Sequence, residues 1–312
     1  MRSLNYIAIL LILATLEVVQ GWTLQDDYSP GNFFDKFNFF DAPDPTKGFV
    51  QYLNYRDARS KHLLMEDDDH ILIRAENRTV TPEGRPSVRL RSKEQYNSGL
   101  FLLDLRHMPT GCGTWPAFWL IGPKLPDSGE IDILEGVNHD TYNAMTLHTG
   151  PECTMENVAR TMSGKPHGLN CDMTARDALG NKGCSVFSKD SKSFGAGFNG
   201  AQGGVIALRW TDDTGIQSWF FERDAIPKDI LAGEPQPDDW PTPMADYPFT
   251  ECSPRHFRDM AITINLTFCG NWAGSTYAAS GCPSNCVDFV RDHPEAFDEA
   301  YWDINYLRVY QE

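Results

Sequence analysis

Gly129-Glu130-Ile131-Asp132-Ile133-Leu134-Glu135-Gly136 alternates acidic and aliphatic side chains between two glycines. Along a strand, successive side chains point to opposite faces, so Glu130 and Asp132 share one face while Ile131 and Ile133 take the other. Glu135 breaks this parity, because its odd offset from Glu130 turns it away. One extra residue near Ile133 to Leu134, a β-bulge, would restore it to the face of Glu130, and bulges are common beside active sites. The expectation is a bulged strand with three carboxylates converging on one face.

Outward from this strand, short apolar or alternating runs recur at Ile71 to Arg74, Ser87 to Ser92, Gly99 to Leu105, Ala117 to Ile121, Ala144 to Thr149, Val205 to Trp210, Ile216 to Phe221, Met260 to Phe268 and Trp302 to Tyr310. Most are bounded by Gly, Pro, Asn or Asp. Amphipathic helices of a dozen residues are missing, and only Pro227 to Leu231 and the stretch around Cys286 to Asp292 offer short ones. The pattern predicts an all-β sandwich. The Pro- and Asp-rich run from Glu234 to Pro248 reads as a long surface loop, and Cys153 to Cys184 as a disulfide-pinned insertion. No repeat or linker divides the chain, so residues 22–312 are expected to form one domain.

The chain opens with one Arg and then Ile7-Ala-Ile-Leu-Leu-Ile-Leu-Ala14, too short to span a bilayer; this is the pattern of a signal peptide over residues 1–21 and predicts a secreted protein. All eight cysteines lie beyond it, and an even number in an exported chain implies disulfides, with the pairing left open. Asn77-Arg-Thr and Asn265-Leu-Thr are glycosylation sequons. The net charge of −16 argues against nucleic acid or an anionic membrane as partner and is compatible with a neutral ligand. Length and composition do not determine oligomeric state; a monomer is the expectation.

Paired carboxylates on one face suit acid–base and nucleophilic chemistry at an acetal carbon. About four strand steps of roughly 3.3 Å put the glutamate α-carbons about 13 Å apart. Long side chains leaning inward close this to about 5 to 6 Å between carboxyl groups, the separation of a retaining glycosidase. Asp132, between them, can hydrogen-bond one glutamate and hold a proton on the other by charge repulsion. A solvated acidic face and a hard-cation site are the competing readings, so a structural calcium ion stays open as an alternative. The neighbours Trp115-Pro-Ala-Phe-Trp119 and Thr146-Leu-His148 favour sugar chemistry, since indole faces stack on sugar rings and Thr146 and His148 share a strand face.

These residues, with Gly129-Glu-Ile-Asp-Ile-Leu-Glu-Gly-Val-Asn138 and Leu147-His-Thr149, resemble fungal members of glycoside hydrolase family 16, in particular its laminarinase-like endo-1,3(4)-β-glucanases. The resemblance extends to Phe37-Asn-Phe-Phe40, Ser87 to Ser92, Gly111 to Trp115, Asn265 to Ala273 and Leu307-Arg-Val-Tyr310. It implies a β-jelly-roll sandwich of two curved antiparallel sheets with a concave cleft, hydrolysing internal bonds of β-1,3 and mixed-linkage β-1,3/1,4 glucan polysaccharides with retention of configuration and with no organic cofactor or catalytic metal. By the same resemblance Glu130 would be nucleophile, Glu135 acid/base and Asp132 the assisting carboxylate. Trp115, Trp119, His148 and Trp272 would contact sugars, with Asn54 and Arg91 as further contacts. Lys124-Leu-Pro-Asp127 departs from the pattern, since many relatives carry Trp where Leu125 stands.

Two other functions fit the same fold. A cell-wall transglycosylase would use the same glutamates, although such relatives usually carry the unbulged Glu-x-Asp-x-Glu form. A non-catalytic glucan-binding sandwich would be expected to lose a glutamate, and both are present.

Overall fold

The computed structural model describes residues 21–175 and 182–312. The expected signal peptide therefore lies outside the described residues, apart from Gly21. Strands are numbered in chain order. One sheet, the inner one, runs in spatial order β12 (Lys165–His167), β13 (Cys184–Phe187), β11 (Ala144–His148), β10 (Glu130–Glu135), β9 (Thr114–Ile121), β17 (Met260–Phe268), β7 (Arg89–Tyr96), β2 (Phe37–Phe39). The outer sheet runs β16 (Ala245–Tyr247), β15 (Gly215–Glu222), β14 (Gly204–Thr211), β8 (Gly99–His107), β18 (Tyr301–Gln311), β5 (Ile71–Arg74), β4 (Leu64–Glu66), with β1 (Thr23–Tyr28) also on β18. All of these pairings are antiparallel; a small parallel pair joins β3 (Val50–Tyr52) to β6 (Arg85–Ser87). The expected all-β sandwich, a jelly roll, is the observed fold.

Alternation explains the layering. Ile131, Phe118, Leu120, Leu147, Ile262 and Ile264 of the inner sheet pack in one core with Phe101, Leu103, Ile206, Leu208, Leu307 and Val309 of the outer one. Water is excluded between the layers, and burial of this apolar surface is the main force holding the sheets face to face. All four disulfides form, Cys112–Cys282, Cys153–Cys252, Cys171–Cys184 and Cys269–Cys286. Two of them fasten the insertion after β11, one internally and one to Cys252. The other two fasten the 269–286 segment, tying it to itself and to Cys112 just before β9.

Two expectations need correction. The Pro-rich run 234–248 is not wholly a loop: its end forms edge strand β16, with Ala245 and Tyr247 fully buried. Tyr247 Oη donates to the Met145 carbonyl at 2.8 Å, so the run is anchored by pairing and contact that a three-residue strand flanked by prolines does not signal locally. A helix at Gly195–Gly200 was also not expected, because its glycines are poor helix formers. Buried Phe194 and Phe198 hold it in the main core, and packing overrides propensity.

Candidate active site

Strand β10 carries the bulge at Ile133. Against β9, Asp132 pairs with Trp119 and the next pair is Leu134 with Phe118, so Ile133 is the extra residue. Ile133 and Leu134 both point into the core and are fully buried. Two consecutive core-facing residues reset the parity, and Glu130, Asp132 and Glu135 emerge on the same outward face. Gly129 permits the entry to this strand: its φ is +72°, and a β-carbon there would lie 2.4 Å from the His256 carbonyl oxygen.

Ladder pairing then places the neighbours. Across the sheet, Arg91, Thr263, Trp119, Asp132, Thr146 and Ser185 form one row of directly paired residues, all on the outward face. One row further, Glu130 pairs with His148, and on the opposite side Glu135 aligns with Ala117, Asn265 and Arg89. His148 Nε2 approaches Asp132 Oδ2 at 3.3 Å, and one oxygen each of Glu130 and Asp132 and a nitrogen of His148 lie within 4.8 Å of one another. Among the described residues His148 Nδ1 is buried without a partner.

Trp115 Nε1 donates to Glu135 Oε1 at 2.7 Å, and the Trp115 indole meets Trp272 edge to face, with centroids 5.6 Å apart. Trp272 sits in the disulfide-pinned segment, so the disulfides hold this aromatic pair beside Glu135. Trp119 is only 8% exposed; its Nε1 donates to Asn265 Oδ1 at 2.7 Å, and the Arg89 guanidinium lies 4.8 Å from its ring centroid. It forms a braced floor of the cleft with little free face.

Burial raises all three carboxyl pKa values. Glu130 is pushed up to about 8, first by desolvation and then by the Asp132 charge, with His148 and Arg89 acting in the opposite sense. Asp132 is pushed up to about 7 by desolvation. Glu135 stands well above the ordinary carboxylate range through desolvation and repulsion from Asp132 and Glu130, against the Trp115 hydrogen bond. Close like charges do not all ionise together, so the cluster retains protons near neutrality. Calcium asks for about six to eight oxygen donors. Two carboxylates and an imidazole fit that ion poorly.

The structure thus brings Glu130, Asp132, Glu135, Trp115, Trp119, His148 and Trp272 together. Arg91 lies on the same face at the far side of β17. Asn54 differs: its Oδ1 accepts from the Asp57 N–H at 3.0 Å and its Nδ2 donates to Asp57 Oδ2 at 2.9 Å. The Oδ1 bond caps the helix Tyr55–Ser60, which gives the asparagine a structural role at this position beside any contact with substrate. The Asn265 sequon also changes meaning, because the residue is buried, with Nδ2 donating to Tyr52 Oη at 3.4 Å. Sequence reasoning missed Arg89, although it shares the face of Arg91 by simple alternation. It also missed Asn143, whose side-chain amide bonds the Glu135 N–H and the Ile133 carbonyl and whose only signal is a polar residue just before an apolar strand.

Comparison with known proteins agrees with this geometry. A family profile described as "XgeA-like, catalytic GH16 domain" matches residues 37–310. An endo-1,3(4)-β-glucanase of Arthroderma benhamiae is 42% identical over 97% of this chain and 68% of its own length. A "probable glycosidase" of Schizosaccharomyces pombe is 46% identical over 93% of this chain and 69% of its own. Among solved structures, laminarinase 16A of Phanerochaete chrysosporium, holding β-glucans in donor and acceptor sites, is 43% identical with TM-score 0.89, covering 93% of this chain and 99% of that one. An elongating family 16 β-1,3-glucosyltransferase is 39% identical with TM-score 0.86, covering 93% and 100%. The chain belongs to glycoside hydrolase family 16. Within that family it is an enzyme of the endo-1,3(4)-β-glucanase-like group.

Proposed function

We propose that this enzyme hydrolyses internal bonds of β-1,3 and mixed-linkage β-1,3/1,4 glucans with retention of anomeric configuration. The observation that carries the reading is the bulge, which turns both glutamates and Asp132 to one aromatic-lined face. In the first step an oxygen of Glu130 bonds to the anomeric carbon while the glycosidic C–O bond breaks and the Glu135 proton passes to the leaving oxygen. In the second, the Glu135 carboxylate takes a proton from water, whose oxygen displaces Glu130 from the same carbon. Two displacements restore the configuration.

The raised pKa of Glu135 suits the acid role. Attack requires Glu130 as the free carboxylate, so the proton shared by the Glu130–Asp132 pair passes to Asp132 as positive charge develops at the anomeric carbon, with the His148 ring 3.3 Å from Asp132. Trp115 and Trp272 offer stacking edges and faces to the sugars beside Glu135, and Trp119, His148 and Arg91 line the floor. A neutral polysaccharide fits an acidic protein whose cleft needs no anion clamp. Four disulfides and the apolar opening segment support secretion, and the one core shared by the two sheets supports a single catalytic domain over residues 22–312. No helix among the described residues is long and apolar enough to cross a membrane. Half-buried Asn77, not buried Asn265, is the proposed glycan site.

Transfer to a sugar acceptor is the second reading, favoured by the similarity to the elongating glucosyltransferase. Product analysis by NMR and chromatography on laminarin and cereal mixed-linkage glucan separates the two. The expected result is shortened β-configured oligosaccharides appearing first. Inverted products would overturn the mechanism, and dominance of lengthened products would assign a transglycosylase.

A further inference from the structure

The bulge turns Glu135 toward the cleft, but it also leaves the lower half of β10 without a neighbour on one side. Strand β11 pairs with β10 only at Glu130, Ile131 and Asp132. Beyond Asp132, the backbone groups of Ile133 and Glu135 that face β11 have no strand to bond. Asn143, one residue before β11, is 2% exposed and fills this gap with its side chain. Its Oδ1 accepts from the Glu135 backbone N–H at 2.9 Å, and its Nδ2 donates to the Ile133 carbonyl at 2.8 Å. One side-chain amide thus stands in for a peptide group of the missing strand, with donor and acceptor both matched.

Asn143 is itself held from behind. Its backbone N–H donates to Ser193 Oγ at 3.0 Å, and its carbonyl accepts from the Ser188 N–H at 2.8 Å. Ser193 in turn donates to the Asp190 carbonyl at 2.7 Å. The clamp on the bulge is therefore fastened to the 188–193 segment, and it bonds the very residue whose carboxyl serves as acid/base.

We propose that Asn143 is a positioning residue for Glu135: its amide locks the bulge, and through the backbone N–H of residue 135 it sets where that carboxyl meets the glycosidic oxygen. This rests on Glu135 being the acid/base. Of the side chains of similar size, only asparagine supplies both a donor and an acceptor in this plane. Aspartate keeps the acceptor but turns an oxygen on the Ile133 carbonyl, and alanine leaves both buried backbone groups unpaired.

The test compares wild type, Glu135→Ala, Asn143→Ala and Asn143→Asp on two substrates, laminarin and a 2,4-dinitrophenyl β-laminaribioside. Dinitrophenolate leaves without protonation, so it needs Glu130 but not a well-placed acid. Displacement of Asn143 is expected to lower kcat on laminarin by about 10²-fold, the effect of a misplacement near 1 Å. On the dinitrophenyl substrate the first step should remain within a few-fold of wild type, and azide, which needs no general base, should raise turnover and yield the β-glycosyl azide. Equal loss on both substrates, with no azide response, would overturn the proposal, because it marks a general structural defect. If Asn143→Ala does not fold, the isosteric Asp variant decides by the same readout. Glu135→Ala separates the two levels: if it shows no leaving-group dependence, the acid/base assignment falls first and this inference with it. If it shows that dependence and the Asn143 variants do not, only the inference fails.

Discussion

The outward faces of the two sheets differ in what they carry and in what covers them. The outer sheet turns Leu100, Leu102, Val205, Ala207, Trp219, Phe221 and Tyr310 away from the main core, and Ile230, Trp240 and Trp22 close over them in a second apolar cluster. The inner sheet turns out Arg91, Thr263, Trp119, Asp132, Thr146 and Ser185, and this face lines the cleft. An apolar face gains by acquiring a cover, whereas a face of carboxylates and hydroxyls cannot be covered cheaply, since each polar group would need a new partner. Alternation is the same in both sheets. The chemistry of the outward residues decides which becomes a second core and which a site.

Mutations on the two faces should therefore read out differently. The largest effect is expected for Glu130→Ala, where loss of the nucleophile from a cooperating set should lower kcat on the order of 10⁶-fold, with the melting curve nearly unchanged. Steady-state kinetics together with thermal unfolding check this, and residual activity above about 1% would sink the role of Glu130. The converse is Trp219→Ala on the covered face. Trp219 Nε1 donates to the Pro241 carbonyl at 2.7 Å and its ring meets Trp240 edge to face, so truncation should cost about 3–5 kcal/mol of stability while kcat stays near wild type. Denaturant unfolding measures it. A catalytic defect without destabilisation would break the contrast between the faces.

The smallest effect concerns Asp132→Asn. The Asp132 charge raises the pKa of both Glu130 and Glu135, and Asp132 ionises above about pH 7. Without that charge Glu135 loses its proton more readily, so the alkaline limb of kcat/KM should move to lower pH, on the order of one unit. A pH–rate profile reads the shift. A limb that moves upward, or not at all, would show that desolvation alone sets the acid.

Much of this was legible beforehand, for identifiable reasons. Ile71–Arg74 and Met260–Phe268 have the bounds expected from their apolar runs, because buried strands write their burial into composition. The bulge at Ile133 was legible from a conflict of parity, since three acids in one strand must share a face to act together. Strand β16 was hidden, because three residues among prolines carry no period. Asn54 is ambiguous in sequence, because a helix-capping asparagine and a sugar-binding one look alike there, and only the structure shows its amide on Asp57.

The sequence by itself determined the alternation, the acidic strand and its required break in parity, since these follow from side-chain period and residue chemistry alone. The tertiary structure decided the disulfide pairing, the joining of Trp115 and Trp272 beside Glu135, and the use of Asn143 as a substitute peptide group. Those depend on which distant segments meet, and such meetings arise from packing two sheets around one core, not from any local pattern along the chain.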